Sequence, residues 1–264
     1  MPNLIPLSPS RHAGKGWRQP GNVAFAASQA AAPLVAAEFV KAAASMPIAF
    51  VEQAGRFVPM AVMSPIVGRN LFIGPDGQWL AGYMPAALRS YPFGLGRVGG
   101  SEDFTLCIDE DSLLVVEADG TVQAFFDADG KPSAAVKAMM DFLREFERGR
   151  LRTDIAVAAL AEAGVIEPWP LEVKAGGQAR PVSGLSRIRE AALNALDDAA
   201  FLKLRKSGAL PLAYMQLLSM GQVAVFTQLN LTQQQLAQAH QQRRQISSLD
   251  EIFERASNDT LRFN

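Results

Sequence analysis

The spacing of apolar residues changes near residue 131, and this change limits the fold classes open to the chain. Up to Phe126 most apolar residues fall in short runs separated by Gly, Pro and Asp, a pattern typical of short strands joined by turns. After Pro132 they recur every three or four residues over long stretches, which predicts amphipathic helices. We therefore expect an α+β protein with a small, mainly antiparallel sheet, packed helices and a helical C-terminal region.

Proline and glycine divide the chain into three parts. Residues 1–30 carry several prolines among glycines and basic residues, so we expect an extended arm, pinned by His12 and Trp17. The segment K-A-G-G-Q-A-R-P at 174–181 has no apolar periodicity and is the best internal boundary. The sequence thus predicts a main α+β domain over 31–174 and a helical region over 182–264 packed on it.

Local patterns predict individual elements. A helix is expected over 33–45, and two strands over 46–52 and 57–66 are joined by the turn Q-A-G-R. Pro59 in the second strand favours an edge or a bulge, because proline cannot donate a ladder hydrogen bond. The helix that begins near 131 should end at Gly149, and Gly208 should stop a later helix. We expect the apolar patch of Leu249, Ile252 and Phe253 to dock on the domain or on a partner.

Charge and cysteine content exclude several classes of protein. A net charge of −1 with 19% charged residues provides no basic field for nucleic acid. The single Cys107 cannot form an internal disulfide. The N-terminus lacks the pattern of a secretory signal, and the apolar run 24–44 is interrupted by polar residues, so we expect no membrane span and a cytoplasmic location.

The usual catalytic patterns find little support. His12 and His240 are the histidines of the chain, and neither has a companion at ligand spacing, so no metal site is assigned. Cys107 lies in the apolar run F-T-L-C-I, which predicts a buried, unreactive thiol. The string F-G-L-G-R-V-G-G at 93–100 lacks the G-K-[ST] ending of a phosphate-binding loop. Acidic pairs at 102–103 and 109–111 are typical of solvated connections. No cofactor is assigned.

The stretch 68–97 concentrates aromatic residues and arginines. Phe72, Trp79, Tyr83, Tyr91 and Phe93 fall within it, although aromatics are 8% of the chain. Tryptophan and tyrosine provide amphipathic contact area, and an arginine such as Arg89 can hold a carboxylate or stack on a ring. The same composition also fits a hairpin buried under a helix, since large rings fill cores. Both interpretations stay open.

Several strings resemble the SapC family of bacterial proteins. They are P-L-V-A-A-E-F at 33–39, M-P-I-A-F-V at 46–51, N-L-F-I at 70–73, D-G-Q-W-L-A-G-Y-M-P-A-A-L-R-S-Y-P-F at 76–93, F-F-D-A-D-G-K-P-S at 125–133, S-G-L-S-R-I-R-E at 183–190 and G-A-L-P-L-A-Y-M-Q-L-L-S-M at 208–220. The family takes its name from surface-layer proteins, and similar members are often encoded near TonB-dependent receptors and flavin-dependent tryptophan halogenase-like proteins. The resemblance offers a candidate binding surface at the matching positions Asn70, Trp79, Tyr83, Arg89, Tyr91 and Phe93.

Three functions follow as hypotheses. The first is an accessory or binding protein of a bacterial nutrient-uptake or peptide-modification locus that recognises a peptide or small aromatic ligand, with a protein partner from the same locus. The second is an enzyme that uses an exogenous cofactor or acts with an oxidative, halogenase-like partner. The third is a surface-layer assembly factor.

Overall fold

The computed structural model describes residues 3–97, 104–175 and 178–258, and for residues 174, 175, 178–180, 240 and 243–258 it describes the backbone alone. The strands in these ranges are β1 (Leu4–Pro6), β2 (Lys15–Trp17), β3 (Ala31–Pro33), β4 (Ile48–Gln53), β5 (Arg56–Val62), β6 (Phe93–Arg97), β7 (Phe104–Asp109), β8 (Val115–Glu117), β9 (Gln123–Ala124), β10 (Ile166–Pro168), β11 (Leu171–Ala175), β12 (Gln178–Val182) and β13 (Ser186–Ile188). The α-helices are α1 (Pro9–His12), α2 (Phe39–Ala43), α3 (Ala86–Arg89), α4 (Ala134–Glu162), α5 (Glu190–Asn194), α6 (Asp198–Lys206), α7 (Ala209–Ser219) and α8 (Val225–Asn258).

These elements confirm the predicted α+β class. The strands form small sheets in the orders β10-β13-β4-β5-β3, β1-β7-β6, β8-β2-β9 and β11-β12. Every strand pairing within the described residues is antiparallel. The boundary segment at 174–181 coincides with the β11-β12 hairpin, whose residues 176–177 lie outside the described residues.

The predicted hairpin at 46–52 and 57–66 is confirmed as β4 and β5. The expectation that Pro59 puts the second strand at an edge or a bulge is wrong, because β5 lies between β4 and β3. The Leu34 amide donates to the Pro59 carbonyl (2.9 Å), beyond the last paired residue of β3. The nitrogen of Pro59 points to the same side, so its missing N–H removes one hydrogen bond at the end of the β3 ladder.

The helix expected over 33–45 begins later than predicted. Residues Ala31–Pro33 pair with β5 as β3, and the hydrogen bond from Leu34 keeps the chain extended beyond them. A 3₁₀ turn at Ala36–Glu38 then leads into α2. Strand pairing has therefore overridden the local helical pattern of this segment.

The larger hydrophobic core lies between the five-stranded sheet and helices α2, α4 and α7. The rings of Phe39, Phe50 and Phe72 are buried there. Gln216 of α7 is fully buried as well; its Oε1 accepts from the Ile188 amide (2.8 Å) and its Nε2 donates to the Ile48 carbonyl (3.1 Å). The C-terminal helices thus build the same core as the sheet, and α7 ties β13 to β4.

A second core lies under two three-stranded sheets, β1-β7-β6 and β8-β2-β9. Trp17 stacks on Phe125 (5.4 Å between ring centroids) and meets Phe93 edge-on (4.9 Å). The first half of α4 covers these rings with Val136 and Leu143. Residues of the predicted N-terminal arm therefore carry core side chains: Trp17 is 5% exposed and His12 is fully buried.

The expectation that Gly149 ends the long helix is wrong, since α4 continues to Glu162. An added Cβ on Gly149 would lie 3.4 Å from Val35, so the helix passes close to the segment before α2 at this point. Thr153, one turn later, donates to the Gly149 carbonyl (2.7 Å) and accepts from the Ala36 amide (2.8 Å). These contacts hold the glycine within the helix, and α4 spans both cores.

Gly208 ends α6 as predicted, with a φ of 73° that suits glycine. The helical run Ala209–Ala239 that follows is long and apolar enough to span a membrane, with a mean hydropathy of 1.4 over its most apolar window.

Gln233 fixes α8 to the stretch 68–97, because its Nε2 donates to the Ile73 carbonyl (2.7 Å) and its Oε1 accepts from Arg69 (2.6 Å). The side chains of Leu249, Ile252 and Phe253 lie outside the described ones, so their docking stays a prediction.

Candidate functional site

A cavity of about 420 Å³ opens between the turn after α3, the end of β2 and the first half of α4. Its walls include Trp17, Arg89, Tyr91, Gln123, Met139 and Phe142. Among the described residues that line it, Arg89 alone carries a charge. The cavity is thus an aromatic and apolar pocket with one cationic group at its wall.

Arg89, the last residue of α3, places its guanidinium close to the faces of two rings. Its Cζ lies 5.4 Å from the ring centroid of Phe142 and 5.8 Å from that of Tyr83. The side chain is exposed, and within the described part of the chain it forms no salt bridge. The rings orient the guanidinium, which also acts on the Tyr83 hydroxyl as a smaller, pKa-lowering influence, and its remaining donors can reach an anion.

Tyr83 links Arg89 to the buried Glu38, because its ring lies under the guanidinium and its hydroxyl bonds to the carboxylate. Its hydroxyl donates to Glu38 Oε1 (2.6 Å), and the same oxygen accepts from the Ala86 amide (2.6 Å). The other oxygen of Glu38 accepts from the Val35 amide (3.1 Å). Burial, followed by the hydrogen bond to Glu38, raises the pKa of Tyr83, so the phenol stays protonated at neutral pH. Glu38 therefore anchors the start of α3, and with it Arg89.

Tyr91 forms a fixed wall of the cavity. Its ring stacks on Phe25 with 4.1 Å between centroids and 15° between planes. The hydroxyl donates to Asp109 Oδ2 (3.0 Å), while Asp109 Oδ1 accepts from the Asn3 amide (3.0 Å). Burial is the main cause of the raised pKa of Tyr91. The peptide bond from Tyr91 to Pro92 is cis.

The remaining candidate residues from the sequence lie elsewhere. Trp79 donates from Nε1 to the Tyr83 carbonyl (2.9 Å) and stacks on Phe72 (5.5 Å), so it packs against the larger core. Asn70 is buried, and its Oδ1 accepts from the Phe72 amide (2.9 Å). Phe93 is buried against Trp17 in the second core. The structure thus brings Arg89 and Tyr91 to the cavity, with Tyr83 adjoining, and places Asn70, Trp79 and Phe93 outside its walls.

Sequence reasoning assigned no binding role to the other walls of the cavity. Trp17 was expected to pin the arm, and Phe142 lies in the long helix that the sequence predicts to begin near residue 131. Glu38 had a visible signal, because a lone acid in an alanine-rich apolar run needs hydrogen-bond partners once it is buried.

Groups with reactive potential lie away from this cavity. Burial raises the pKa of the Cys107 thiol, which donates to the Thr105 carbonyl (3.7 Å). His12 Nε2 is buried 3.3 Å from Glu110 Oε1 without hydrogen-bond geometry. Among the described residues, no group of three or more His, Cys, Asp or Glu side chains could hold a metal ion. The glycines and acids at 98–103 lie outside the described ranges.

Comparison with protein families identifies a match over most of the chain. The family model described as SapC matches residues 7–225, which is most of the chain and ends where α8 begins. No curated protein and no solved structure matches the chain. The cavity at Arg89 lies entirely within the matched region.

Proposed function

The chain belongs to the SapC family, and we propose that it is a binding protein that recognises an aromatic carboxylate in the cavity at Arg89. The ligand class comprises free aromatic amino acids and peptides that end in an aromatic residue. In the nutrient-uptake or peptide-modification setting that the family resemblance implies, the protein is an accessory factor that holds this ligand for a partner.

One observation carries the proposal: an exposed guanidinium lies over two rings at the wall of a cavity whose other described lining residues are uncharged. Arginine holds a carboxylate through two parallel hydrogen bonds, and such charge-assisted bonds are strong. Tyr91 and Phe142 offer ring surfaces to an aromatic side chain, while Trp17 lines the wall and is itself 5% exposed. A cavity of about 420 Å³ falls in the size range of small-molecule sites.

Calorimetric titration with L-tryptophan and L-phenylalanine tests the proposal, with L-tryptophanamide as the ligand that lacks the carboxylate. We expect the amide to bind about tenfold more weakly or worse, because a hydrogen bond to a charged group contributes about 1.5–3 kcal/mol. Arg89→Gln should lower affinity for the acids by a similar factor and leave affinity for the amide unchanged.

The matched control is Arg144→Gln, which removes an exposed arginine of α4 outside the cavity and should leave binding unchanged. Peptides with a C-terminal tryptophan, with and without amidation, test the peptide class in the same way. If acid and amide bind equally well, or if Arg89→Gln binds as the wild type does, the assignment of Arg89 as the carboxylate-binding group is wrong.

A further inference from the structure

The helical run that begins at Ala209 carries no charged side chain over an unusual length. From Ala209 to Gln242 the sequence contains no Asp, Glu, Lys or Arg, although these residues make up 19% of the chain. Exposed helix faces of monomeric proteins normally carry such residues. The most apolar window of this run is 33% buried, so the other residues of the window are partly or fully exposed and none of them is charged.

The inner face of the run is committed to the protein. Leu212 and Ala213 are buried in the larger core, and Gln216 bonds to the backbone of β13 and β4. Ser219 accepts from the Ile48 amide (3.0 Å). Withdrawing this helix into a bilayer would leave those strand groups unpaired, so the run is a core helix with an uncovered outer face.

The outer face forms a regular stripe. We define the outer stripe as the exposed residues Tyr214, Leu218, Gly221, Ala224 and Leu231. Tyr214 is 43% exposed, Leu218 69% and Leu231 54%. Counting back along the helix, Gln228 lies three residues before Leu231 and Ala224 lies four before Gln228. In the same way, Leu218 lies three residues before Gly221 and Tyr214 lies four before Leu218. The stripe runs over α7, the 3₁₀ segment Met220–Ala224 and α8, and steps of three and four residues keep its members on one side of this helical run.

Among the described residues, none packs against the position that a side chain at Gly221 would occupy. A Cβ added there would meet nothing within 4 Å, and its φ lies outside the left-handed region. Glycine in a helical segment costs about 1 kcal/mol relative to alanine. A small residue at this place allows the backbone of another helix to approach closely, and Ala224, three residues later, is also small.

We propose that the outer stripe is the interface between two copies of this chain. An uncharged surface meets its own copy without like-charge repulsion, and the net charge of −1 adds little repulsion between whole protomers. A lipid surface fits less well, because helices that lie on membranes carry lysine and arginine along their polar face. The stripe shares no residue with the cavity at Arg89, so the two proposals stand independently.

Sedimentation equilibrium of the full chain, from about 1 μM to about 100 μM, tests the interface. We expect a dimer in the wild type. Leu218→Lys should weaken it at least about tenfold, since it buries two like charges at the interface. Gly221→Leu should weaken it similarly by blocking close approach, while it favours the helix within each protomer. The matched control Leu151→Lys adds a lysine at a half-exposed leucine of α4 and should leave the dimer intact.

A wild type that stays monomeric over this range overturns the proposal, as does a dimer that both Leu218→Lys and Gly221→Leu retain. Co-sedimentation with vesicles of neutral and anionic phospholipid separates the lipid alternative. If the wild type is monomeric and binds vesicles, and Leu218→Lys abolishes that binding, the outer stripe is a lipid-binding face instead.

Discussion

The hydroxyl of Tyr83 donates a 2.6 Å hydrogen bond to Glu38, whose side chain is almost completely buried. The Ala86 amide donates to the same carboxyl oxygen, so a tyrosine and the first residue of α3 share one acceptor. Arg89 lies at the other end of this one-turn helix and stacks over the ring of Tyr83. The position of the proposed carboxylate-binding group is therefore set from the core side of the cavity.

Tyr83→Phe should lower the free energy of unfolding by about 1–3 kcal/mol, because it removes one donor from a buried carboxyl oxygen. The ring stays, so Arg89 keeps its aromatic contact and ligand affinity should change little. Urea denaturation measures the stability and calorimetry the affinity. Ser28→Ala, which removes an exposed hydroxyl outside the outer stripe, is the control and should leave stability unchanged. Equal stability of the wild type and Tyr83→Phe would contradict the role given to this hydrogen bond.

Gln216→Leu should destabilise the protein by about 2–6 kcal/mol, since the Ile188 amide and the Ile48 carbonyl would each lose their partner inside the core. The volume of the side chain is nearly conserved, so the loss reports the hydrogen bonds rather than a cavity. Urea denaturation checks the size of the change. Gln241→Leu, at an exposed position of α8, should change stability by less than about 0.5 kcal/mol. A loss of similar size in both variants would rule out a specific link between α7 and the two strands.

Local patterns were sufficient for the class of the fold and for the β4-β5 hairpin, because the period of apolar residues and the turn residues lie within a few positions of one another. The continuity of α4 and the internal position of β5 were mispredicted. Both depend on distant partners: Val35 packs on Gly149, and Leu34 bonds to Pro59. A glycine or proline in the sequence does not show which distant residues will pack against it, so the local pattern alone predicts a break.

The cavity was half visible in the sequence. Arg89 and Tyr91 come from the aromatic stretch 68–97, and both were named as candidate residues from the sequence. Trp17 and Phe142 come from the N-terminal arm and from α4, and only the pairing of β2 and the course of α4 bring them to the same place. Trp79, in contrast, was a candidate binding residue by its type and position, but it packs against the larger core.

Glu110→Gln should lower stability at neutral pH, and the difference from the wild type should shrink in acid. The Arg11 side chain donates to both carboxyl oxygens of Glu110 (2.7 and 2.6 Å) and holds the pKa of Glu110 below its ordinary value, with smaller contributions from His12 and Lys15. A carboxyl group with a lowered folded pKa stabilises above its unfolded pKa, about 4.3, and this contribution is lost as the pH falls through the folded pKa.

Urea denaturation at about pH 7 and about pH 3 measures this difference. Glu145→Gln removes an exposed carboxylate of α4 with a longer contact to Arg148 (3.5 Å) and should show a smaller effect at both pH values. If Glu110→Gln is as stable as the wild type at neutral pH, or if the gap widens in acid, the pair of Arg11 and Glu110 does not hold the N-terminal segment in this way.

Ala54→Asn should stabilise the protein by about 0.5–1 kcal/mol, because the β4-β5 turn holds Ala54 at a φ of 49° and Gly55 at 74°. Two successive residues with positive φ define the type I′ turn of tight hairpins, for which Asn-Gly is the preferred pair. An alanine in this conformation brings its Cβ close to the following carbonyl oxygen, whereas asparagine tolerates the left-handed region. Thermal or urea denaturation measures the gain.

Ala54→Val provides the opposite test, since a branched side chain fits this conformation worst and should lower stability. A gain in stability for Ala54→Val, or a loss for Ala54→Asn, would contradict the assigned turn.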